Sequence, residues 1–351
     1  MDESIIKMSV VIPTHGRVDL FKDTLHSLYL QTCKDFEVII SDDSPVEEDR
    51  EKIKNIIASY QKEGMIIKYI FTKVNLLQAP NTNQGLNIAK GLYIRILHSD
   101  DLIAPECIKQ EINAFENYPE IDLLYHNNLF FEDYLDFSVY KKEIMLNFHK
   151  PKDWLNGSIF TDTILPSCMC FRRSLLSEVG GMDENYKFLC DWQLFFDFLL
   201  NSYDKNKTLC CFSAGYVGWR MHDQSVTSTL FIDHFLEHEN FINRIILIYQ
   251  QKKLISKRKL KQNIYNATKY RYNRLLRDLK TYNKNSTKFV TLLCYMQFLL
   301  SRKYGIIHIL LKIMFIPSQL ISTIFNALYK IIFKPKDCIE KIEKKLVFLW
   351  K

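Results

Sequence analysis

The sequence predicts an α/β fold with a mainly parallel sheet, because short apolar strands alternate with amphipathic helices over residues 1–118. Acidic and polar residues follow these strands, at the edge where open α/β sheets bind ligands. The chain contains no Gly-x-Gly sequence and no P-loop, which argues against the common dinucleotide and P-loop folds. A bound phosphate group would therefore be neutralised by a metal ion and side chains instead of a glycine-rich loop.

The predicted elements follow one another in βα order. Residues 8–13 are rich in β-branched residues and end at a proline, which predicts a strand, and residues 18–29 carry apolar side chains at helical spacing. The same criteria predict strands at 36–41, 66–71 and 91–97 and helices at 46–61 and 81–90. In a parallel sheet, the loops at 13–17, 42–45 and 98–101 lie along one edge, where one ligand can contact all three.

The adjacent carboxylates Asp100 and Asp101 carry the strongest chemical signal, because they directly follow the predicted strand at 91–97. Mg²⁺ and Mn²⁺ commonly take one or two protein carboxylates while substrate phosphates complete the coordination shell. The pair therefore predicts a site for a divalent cation. The alternative is that both aspartates cap the helix that begins near Pro105, and the βα pattern upstream favours the metal site.

These segments resemble the inverting family 2 glycosyltransferases, whose fold is the Rossmann-like GT-A fold, over about residues 6–225. The similar motifs are the strand and loop at 9–17, the Asp42-Asp43-Ser44 turn and the segment 81–101. The resemblance implies that the nucleotide-sugar contacts Pro13, Thr14, His15, Arg17, Asp43, Gly85, His98 and Asp100. Within that set, Asp43 would accept a hydrogen bond from a uracil ring.

The chain departs from the family pattern in two of these motifs. The family's usual Pro-x-Tyr-Asn has become Pro13-Thr14-His15-Gly16, and an imidazole can still stack on a base. The usual Asp-x-Asp has His98 in its first position, and imidazole is a softer, less charged ligand than carboxylate. The resemblance therefore implies that His98 contacts ribose or phosphate while Asp100 and Asp101 hold the ion. Which aspartate binds it directly stays open.

Residues 165–194 resemble the acceptor-side signature of the family, including Gly-Gly-Met-Asp-Glu at 180–184. The usual Glu-Asp pair appears here as Cys190 and Asp191. The resemblance implies that Asp191 is the general base that deprotonates the acceptor hydroxyl, a role that apolar surroundings favour by raising the pKa of a carboxylate. The alternative is that Asp191 caps the helix that follows it.

Residues 216–227 resemble the closing Arg-x-His motif of the family. The resemblance implies that His222 completes the metal shell and that Arg220 neutralises the diphosphate. A lone histidine is more often a core or surface residue than a metal ligand, and this is the alternative for His222. Farther along, His234 and His238 lie among glutamates without the His-Glu-x-x-His order, so we interpret residues 234–239 as a solvated helix face.

The implied activity is metal-dependent, inverting transfer of one sugar from a nucleotide-diphosphate sugar, with UDP as the expected nucleotide, to a hydroxyl of a glycan or lipid-linked acceptor. Such a reaction fits the synthesis of surface polysaccharides or glycoconjugates, with Mn²⁺ or Mg²⁺ as the cofactor. The Gln-x-x-Arg-Trp motif of processive synthases is absent, which predicts single-sugar transfer. The alternative is a catalytically inactive GT-A-like binding module, for which His98 and Cys190 are the best evidence.

Charge is distributed unevenly along the chain. Residues 251–351 hold 23 Lys and Arg against four Asp and Glu, a net charge of +19 within a chain whose total is +7. We predict a catalytic domain at 1–245 and a basic, apolar, helical region at 246–351. Apolar runs between the basic residues favour an anionic membrane surface as the partner over nucleic acid. The alternative is packing on the catalytic domain or on a second subunit in a homo-oligomer.

Cysteine usage and the start of the sequence bear on location. Nine cysteines, an odd number without a Cys-x-x-Cys pair, agree with a reducing compartment. The acidic residues at 1–3 precede a short strand and do not resemble a signal peptide. We therefore expect a cytoplasmic protein that is peripherally associated with the inner face of the cell membrane.

Overall fold

The computed structural model describes residues 6–137, 146–156, 165–222, 231–264 and 266. The chain divides into two compact units, Met1–Tyr270 and Arg271–Lys351, and all described residues belong to the first. The domain boundary predicted after residue 245 falls within the helix Phe231–Lys252. Of the predicted C-terminal region at 246–351, the structure describes residues 246–264, which include a second helical stretch at 257–264, and residue 266; the rest lies outside the described residues.

The described part of the chain contains one sheet of nine strands. They are β1 Met8–Thr14, β2 Phe36–Asp42, β3 Ile67–Phe71, β4 Tyr93–Ile96, β5 Leu102–Ile103, β6 Ile121–Phe131, β7 Leu146–His149, β8 Met169–Arg172 and β9 Thr208–Arg220. Their order is β3-β2-β1-β4-β8-β6-β9-β5, and β7 pairs with β9. β8 is antiparallel to both β4 and β6, so β6 and β9 run in the same direction as β1. The predicted α/β fold with a mainly parallel sheet is confirmed.

Eight helices precede the helical stretch at 257–264 in the described part of the chain and pack around this sheet. They are α1 Val18–Tyr29, α2 Glu47–Lys62, α3 Gln78–Ile88, α4 Cys107–Asn117, α5 Pro151–Leu155, α6 Arg173–Val179, α7 Cys190–Asp204 and α8 Phe231–Lys252. The boundaries of α1 are those predicted. α3 begins at Gln78 and not at residue 81, because Pro80 falls in the first turn, where its missing N–H has no partner to lose. No helix in the described ranges is both long enough and apolar enough to cross a membrane.

Two apolar clusters form the core, one on each face of the sheet. Because side chains alternate along a strand, β1 directs Val10 and Ile12 into one cluster and Val11 into the other. The cluster of Val10 includes buried residues of α1, α2 and α4, whereas that of Val11 includes residues of α3, α6, α7 and α8. Phe241 and Tyr249 of α8 are fully buried in the second cluster. α8 is therefore part of the same core as the sheet.

Candidate active site

The loops after β1 and β2 lie side by side at the carboxyl edge of the sheet. The backbone N–H of Asp43 donates to the Thr14 carbonyl (3.1 Å), and the side chain of Asp43 is buried. His15 Nδ1 lies 2.9 Å from Asp43 Oδ1, and the Leu76 N–H donates to Asp43 Oδ2 (2.9 Å). The hydrogen bond with Asp43 raises the pKa of His15 above its ordinary value. His15 remains 43% exposed, so its ring is accessible beside a buried carboxylate.

The turn between β1 and α1 brings a cation to the same edge. Gly16 and Arg17 both have positive φ, 65° and 52°, and the Gly16 N–H donates to Ser44 Oγ (2.6 Å). A left-handed conformation costs a residue such as arginine about 1 kcal/mol or more, and such strain concentrates at functional sites. The conformation directs Arg17 Nη1 to Asp100 Oδ2, 2.5 Å away. The loops after β1 and β4 are therefore joined by an ion pair.

Asp100 lies in the loop after β4 and accepts hydrogen bonds from two basic side chains. Besides Arg17, His222 Nε2 lies 3.1 Å from Asp100 Oδ2. Burial alone would raise the pKa of Asp100, but the His222 hydrogen bond and the Arg17 charge outweigh it and lower the pKa to about 2. His222 reaches this position from the end of β9, and its Nδ1 is buried without a hydrogen bond among the described residues.

Asp101 is held more tightly inside the protein than Asp100. Ser167 Oγ donates to Asp101 Oδ2 (2.5 Å), and the Arg220 N–H donates to Asp101 Oδ1 (3.1 Å). Burial, followed by the charge of Asp100, raises the pKa of Asp101 to about 8. Two carboxylates this close cannot both ionise easily, and a bound cation would favour the ionised form of both.

His98 completes a cluster that fits a divalent cation. One ligand atom each from His98, Asp100 and Asp101 lie within 4.8 Å of one another. Burial lowers the pKa of His98, which favours the neutral imidazole that a metal ion or a substrate hydroxyl requires. Its Nε2 lies 3.4 Å from the amide nitrogen of Gln78, at the start of α3. The donor set, two carboxylates and an imidazole, suits Mn²⁺ or Mg²⁺.

Arg220 lies at the site, but its side chain is engaged within the protein. Its Nε donates to the Asp100 carbonyl (3.0 Å), its Nη2 donates to Asp23 Oδ2 (2.8 Å), and its guanidinium packs 4.9 Å from the centre of the Phe131 ring. Only 6% of Arg220 is exposed. In this geometry Arg220 stabilises the acidic loop. Arg17 is the more accessible cation beside Asp100.

Three other predicted binding residues occupy different positions. Pro13 pairs with Ser41 near the end of β1, and the neighbouring Thr14 is buried. Gly85 faces the core, because a Cβ at this position would lie 2.5 Å from Val11 Cγ1. The glycine therefore allows α3 to pack closely on β1.

A buried network of ion pairs and hydrogen bonds lies next to Ser167, the partner of Asp101, and was not predicted from the sequence. Arg95 forms an ion pair with Glu111, and Arg95 Nη2 donates to the Ser167 carbonyl (2.5 Å). Glu111 Oε1 also lies 2.6 Å from His126 Nε2. Arg95, Glu111 and His126 are all fully buried. The sequence did contain one signal of this network, an arginine inside the otherwise apolar strand β4. Because a buried charge must be paired, that arginine indicates a buried acidic partner.

Asp191 lies in the first turn of α7, one residue after the helix begins. It is therefore not the N-cap residue, although its Oδ1 accepts the backbone N–H of Trp192 (2.7 Å). Burial raises the pKa of Asp191 to about 7, against the opposing effect of that hydrogen bond. A carboxylate with such a pKa is half ionised at neutral pH and is well matched to general-base catalysis.

The loop before α7 is fastened to α3 by an asparagine. Asn83 Oδ1 accepts the Met182 N–H and Asn83 Nδ2 donates to the Met182 carbonyl, both at 2.8 Å. A Cβ at Gly181 would lie 2.3 Å from Asn83 Oδ1, so glycine is needed there. Gln193 Oε1 accepts the Asp183 N–H (2.8 Å) and ties the same loop to α7.

The interpretation of residues 234–239 as a solvated face is wrong for two side chains that the structure describes. Glu237 accepts backbone N–H groups from residues 187–189, and His238 is only 6% exposed. The His238 ring packs edge-on against Trp192, with 4.7 Å between ring centres. Helical spacing alone could not reveal this, because it does not show which loop will pack against a polar face.

Comparison with known proteins supports the assignment of the fold. Residues 9–180 match the sequence profile of Glycosyl transferase family 2. The chain is similar to that family through this segment. The matched segment includes the loops of His15, Asp43, His98 and Asp100 and ends before Asp191.

Two curated relatives align with part of the chain. An uncharacterized glycosyltransferase of Methanocaldococcus jannaschii is 35% identical over 126 residues, which cover 36% of this chain and 42% of that protein. A GalNAc(5)-diNAcBac-PP-undecaprenol beta-1,3-glucosyltransferase of Campylobacter jejuni is 36% identical over 97 residues, 27% of this chain and 30% of that protein. The chain thus spans less than half the length of either relative.

Two solved structures share the overall fold. TarS residues 1–349 of S. aureus, in complex with UDP-GlcNAc, give a TM-score of 0.55 at 18% identity, covering 80% of this chain and 74% of that one. The mannosyltransferase PcManGT of Pyrobaculum calidifontis, in complex with GDP-Man and Mn²⁺, gives 0.52 at 12% identity, covering 86% and 88%. These likenesses confirm the predicted GT-A fold.

Proposed function

We propose that this protein is an inverting glycosyltransferase that moves one sugar from a UDP-sugar to a hydroxyl of a glycan or lipid-linked acceptor. The observation that carries the proposal is that the carboxylates of the site lie in two different environments. Asp100 and Asp101 share a cluster with His98 that fits a divalent cation, whereas Asp191 has a pKa of about 7. The match of residues 9–180 to Glycosyl transferase family 2 supports the same reaction class.

The donor nucleotide would lie against the loops after β1 and β2. Asp43 is buried and fixed by His15 and the Leu76 N–H, yet each carboxylate oxygen has a second lone pair that can accept a uracil N–H. The exposed His15 ring offers a surface for stacking on the base. The UDP-GlcNAc named for the TarS structure supports UDP as the nucleotide, and the GDP-Man named for PcManGT makes GDP-sugars the comparison to test.

The diphosphate would lie at the acidic loop, where Asp100 and Asp101 would hold Mn²⁺ or Mg²⁺ with His98 or His222 beside them. A bound ion supplies Lewis-acid stabilisation of the charge that develops on the departing diphosphate. Arg17 lies 2.5 Å from Asp100 and adds a second positive charge at that position. Ser167 and the Arg220 N–H hold Asp101 in place for this role.

Asp191 would act on the acceptor. Its carboxylate takes the proton of the acceptor hydroxyl, whose oxygen bonds to the anomeric carbon as the bond from that carbon to the diphosphate oxygen breaks. Attack opposite the leaving group inverts the configuration of the anomeric carbon. The absence of Gln-x-x-Arg-Trp supports transfer of one sugar.

We also propose that the basic C-terminal segment brings the enzyme to an anionic membrane on the cytoplasmic side. The net charge of +19 over residues 251–351 supports this, and the lipid-linked acceptor named for the Campylobacter jejuni relative suits it. Full-length protein should co-sediment with vesicles of phosphatidylglycerol and phosphatidylcholine at low salt. Failure to bind such vesicles would contradict the membrane proposal and leave the transferase proposal intact.

The transferase proposal is tested by nucleotide release from a panel of UDP-, GDP- and dTDP-sugars, with and without Mn²⁺. We expect metal-dependent release of UDP, and about a 10²- to 10⁴-fold loss of release in Asp191→Asn. Asp204→Asn, a partly exposed carboxylate on the same helix, serves as the matched control and should retain parental activity. If no nucleotide is released and calorimetry detects no nucleotide binding, the proposal is contradicted and the non-catalytic module is favoured.

A further inference from the structure

A carboxylate on α8 organises the backbone immediately before α7. Glu237 Oε1 accepts the Lys187 N–H (2.5 Å), and its Oε2 accepts the N–H groups of Phe188 and Leu189 (both 2.7 Å). Leu189 is the N-cap residue of α7. Hydrogen bonds to an ionised acceptor are shorter and about twice as strong as neutral ones. Three of them on consecutive residues hold this segment in one conformation.

Asp191 follows that segment by two residues, so the conformation of the segment determines where Asp191 lies. The next residue, Trp192, packs against His238 and Phe241 of α8, with ring centres 4.7 and 5.2 Å apart. α8 therefore contacts the chain on both sides of Asp191. Two independent sets of contacts, one polar and one aromatic, locate the carboxylate relative to α8.

The electrostatic surroundings of Asp191 contain few charges other than Glu237. Its neighbour Cys190 on α7 and Tyr125 on β6 both have pKa values raised by burial, so both are neutral at pH 7. Farther along α8, Arg244 is bound by both oxygens of Asp197. No ion pair of Glu237 occurs among the described residues. Within the described part of the chain, this negative charge raises the pKa of Asp191 and is not paired with a cation.

We propose that Glu237 is a positioning residue for the base Asp191, which it acts on by fixing the 187–189 backbone and by placing a negative charge nearby. The inference rests on the proposed function of Asp191. It assigns a role in the reaction to α8, which lies beyond the segment that matches the family profile. A purely structural clamp between α8 and the loop is the competing explanation.

The pH dependence of the reaction separates the two explanations. A nearby negative charge disfavours ionisation of a carboxylate, so removing it should lower the pKa of Asp191. The acidic limb of the kcat/KM profile should then move to lower pH. A structural clamp without influence on the base would leave that limb in place, even if its removal weakened the fold.

The test uses full-length protein and the UDP-sugar that the donor panel identifies, with water as the acceptor and UDP release as the signal. In Glu237→Gln we expect kcat at pH 7 to fall about ten- to a hundredfold, because small displacements of a reacting group are this costly, with the donor KM unchanged. The acidic limb should move to lower pH. Glu237→Asp, which keeps the charge, should leave the limb where the parent has it.

Glu178→Gln is the matched control, since this glutamate is partly exposed and pairs with Lys205 away from Asp191. A Glu237→Gln variant with an unmoved limb would overturn the inference, whatever its kcat. If Glu237→Gln does not fold, Glu237→Asp takes its place: a moved limb or parental kcat would overturn the inference, and reduced kcat at an unmoved limb and parental Tm would support it. Parental protein without any nucleotide release would overturn the proposed function itself, whereas an active parent and an inactive Asp191→Asn would confine failure to Glu237.

Discussion

The proposed donor edge, formed by the loops after β1, β2 and β4, and the half of the molecule that carries the proposed base Asp191 are built in different ways. At the donor edge, the loops after β2, β1 and β4 are neighbours because those strands are neighbours in the sheet. Contacts such as Asp43 to Thr14 and Arg17 to Asp100 then follow from strand pairing. The base Asp191 instead depends on a loop held by Asn83 of α3 and Glu237 of α8.

The difference teaches where each half is vulnerable. Strand pairing is shared over many backbone hydrogen bonds, so no single side chain decides where the donor loops lie. The loop before α7 has a few side-chain contacts instead, and its geometry can be altered one residue at a time. We therefore expect the two halves to respond separately to substitution.

The largest effect is expected at the donor edge itself. Asp100→Asn removes a charge from the predicted cation site, and we expect Mn²⁺-dependent UDP release to fall about 10³-fold, the equivalent of about 4 kcal/mol. Asp35→Asn, an exposed aspartate before β2, should match the parent. Calorimetry with Mn²⁺ and UDP should show the loss directly. Parental metal dependence in Asp100→Asn would remove Asp100 from the proposed site.

The buried ion pair behind the acidic loop should affect stability more than chemistry. Glu111→Ala leaves Arg95 charged and unpaired at a fully buried position, which should lower the free energy of unfolding by about 3–5 kcal/mol. Glu116→Ala, on the same helix, removes a partly exposed ion pair with Lys7 and should lower the free energy of unfolding by less than about 1 kcal/mol. Urea denaturation measures both. Equal losses in the two variants would argue against the buried network as a support for the donor edge.

Ser167 links that network to Asp101, so its loss should be felt mainly as weaker metal binding. In Ser167→Ala we expect Mn²⁺ affinity to fall about 10- to 100-fold, as is usual when a hydrogen-bond donor to a metal ligand is removed. Ser177→Ala, whose exposed hydroxyl bonds only within α6, is the control. An unchanged Mn²⁺ affinity would show that Asp101 is positioned without Ser167.

The smallest effect concerns the stability cost of the base. Folding raises the pKa of Asp191 from 3.8 to about 7, so the folded protein holds this proton more tightly than the unfolded chain. Its contribution to stability is therefore present below about pH 4 and is lost as pH rises to 7. At pH 8, Asp191→Asn should increase the free energy of unfolding by on the order of 2 kcal/mol and raise the Tm accordingly. At pH 4 it should leave the Tm unchanged.

Asp204→Asn should shift the Tm at neither pH, since its carboxylate is half exposed on the same helix. A lower Tm for Asp191→Asn at pH 8 would mean that the ionised carboxylate stabilises the fold. In that case Asp191 would resemble Asp100, whose pKa is lowered, and the contrast between the two halves would fail.

Sequence reasoning anticipated the donor edge well. The three loops predicted to share an edge are in hydrogen-bond contact, and His98, Asp100 and Asp101 form one cluster. The reason is that strand and helix periodicity, together with the rule that parallel strands end at one edge, determines which loops meet. Gly85 shows the limit of this reasoning, since its motif position did not reveal that it faces Val11 in the core.

The residues that sequence reasoning missed are those that act across long separations in the chain. Ser167 meets Asp101 because β8 inserts between β4 and β6 in the sheet. Glu237 meets residues 187–189 because α8 packs into the same core as α7. Neither contact has a local pattern, and both depend on how elements pack.

Local chemistry along the chain is enough to specify the alternating elements and the edge at which the acidic loops gather. Those features follow from side-chain periodicity and from hydrogen bonding between neighbouring strands, which act over short range. The pKa of Asp191, the engagement of Arg220 and the contacts of Glu237 were decided only by tertiary packing. Burial and the distance between charges set these properties, and both exist only once distant segments of the chain have come together.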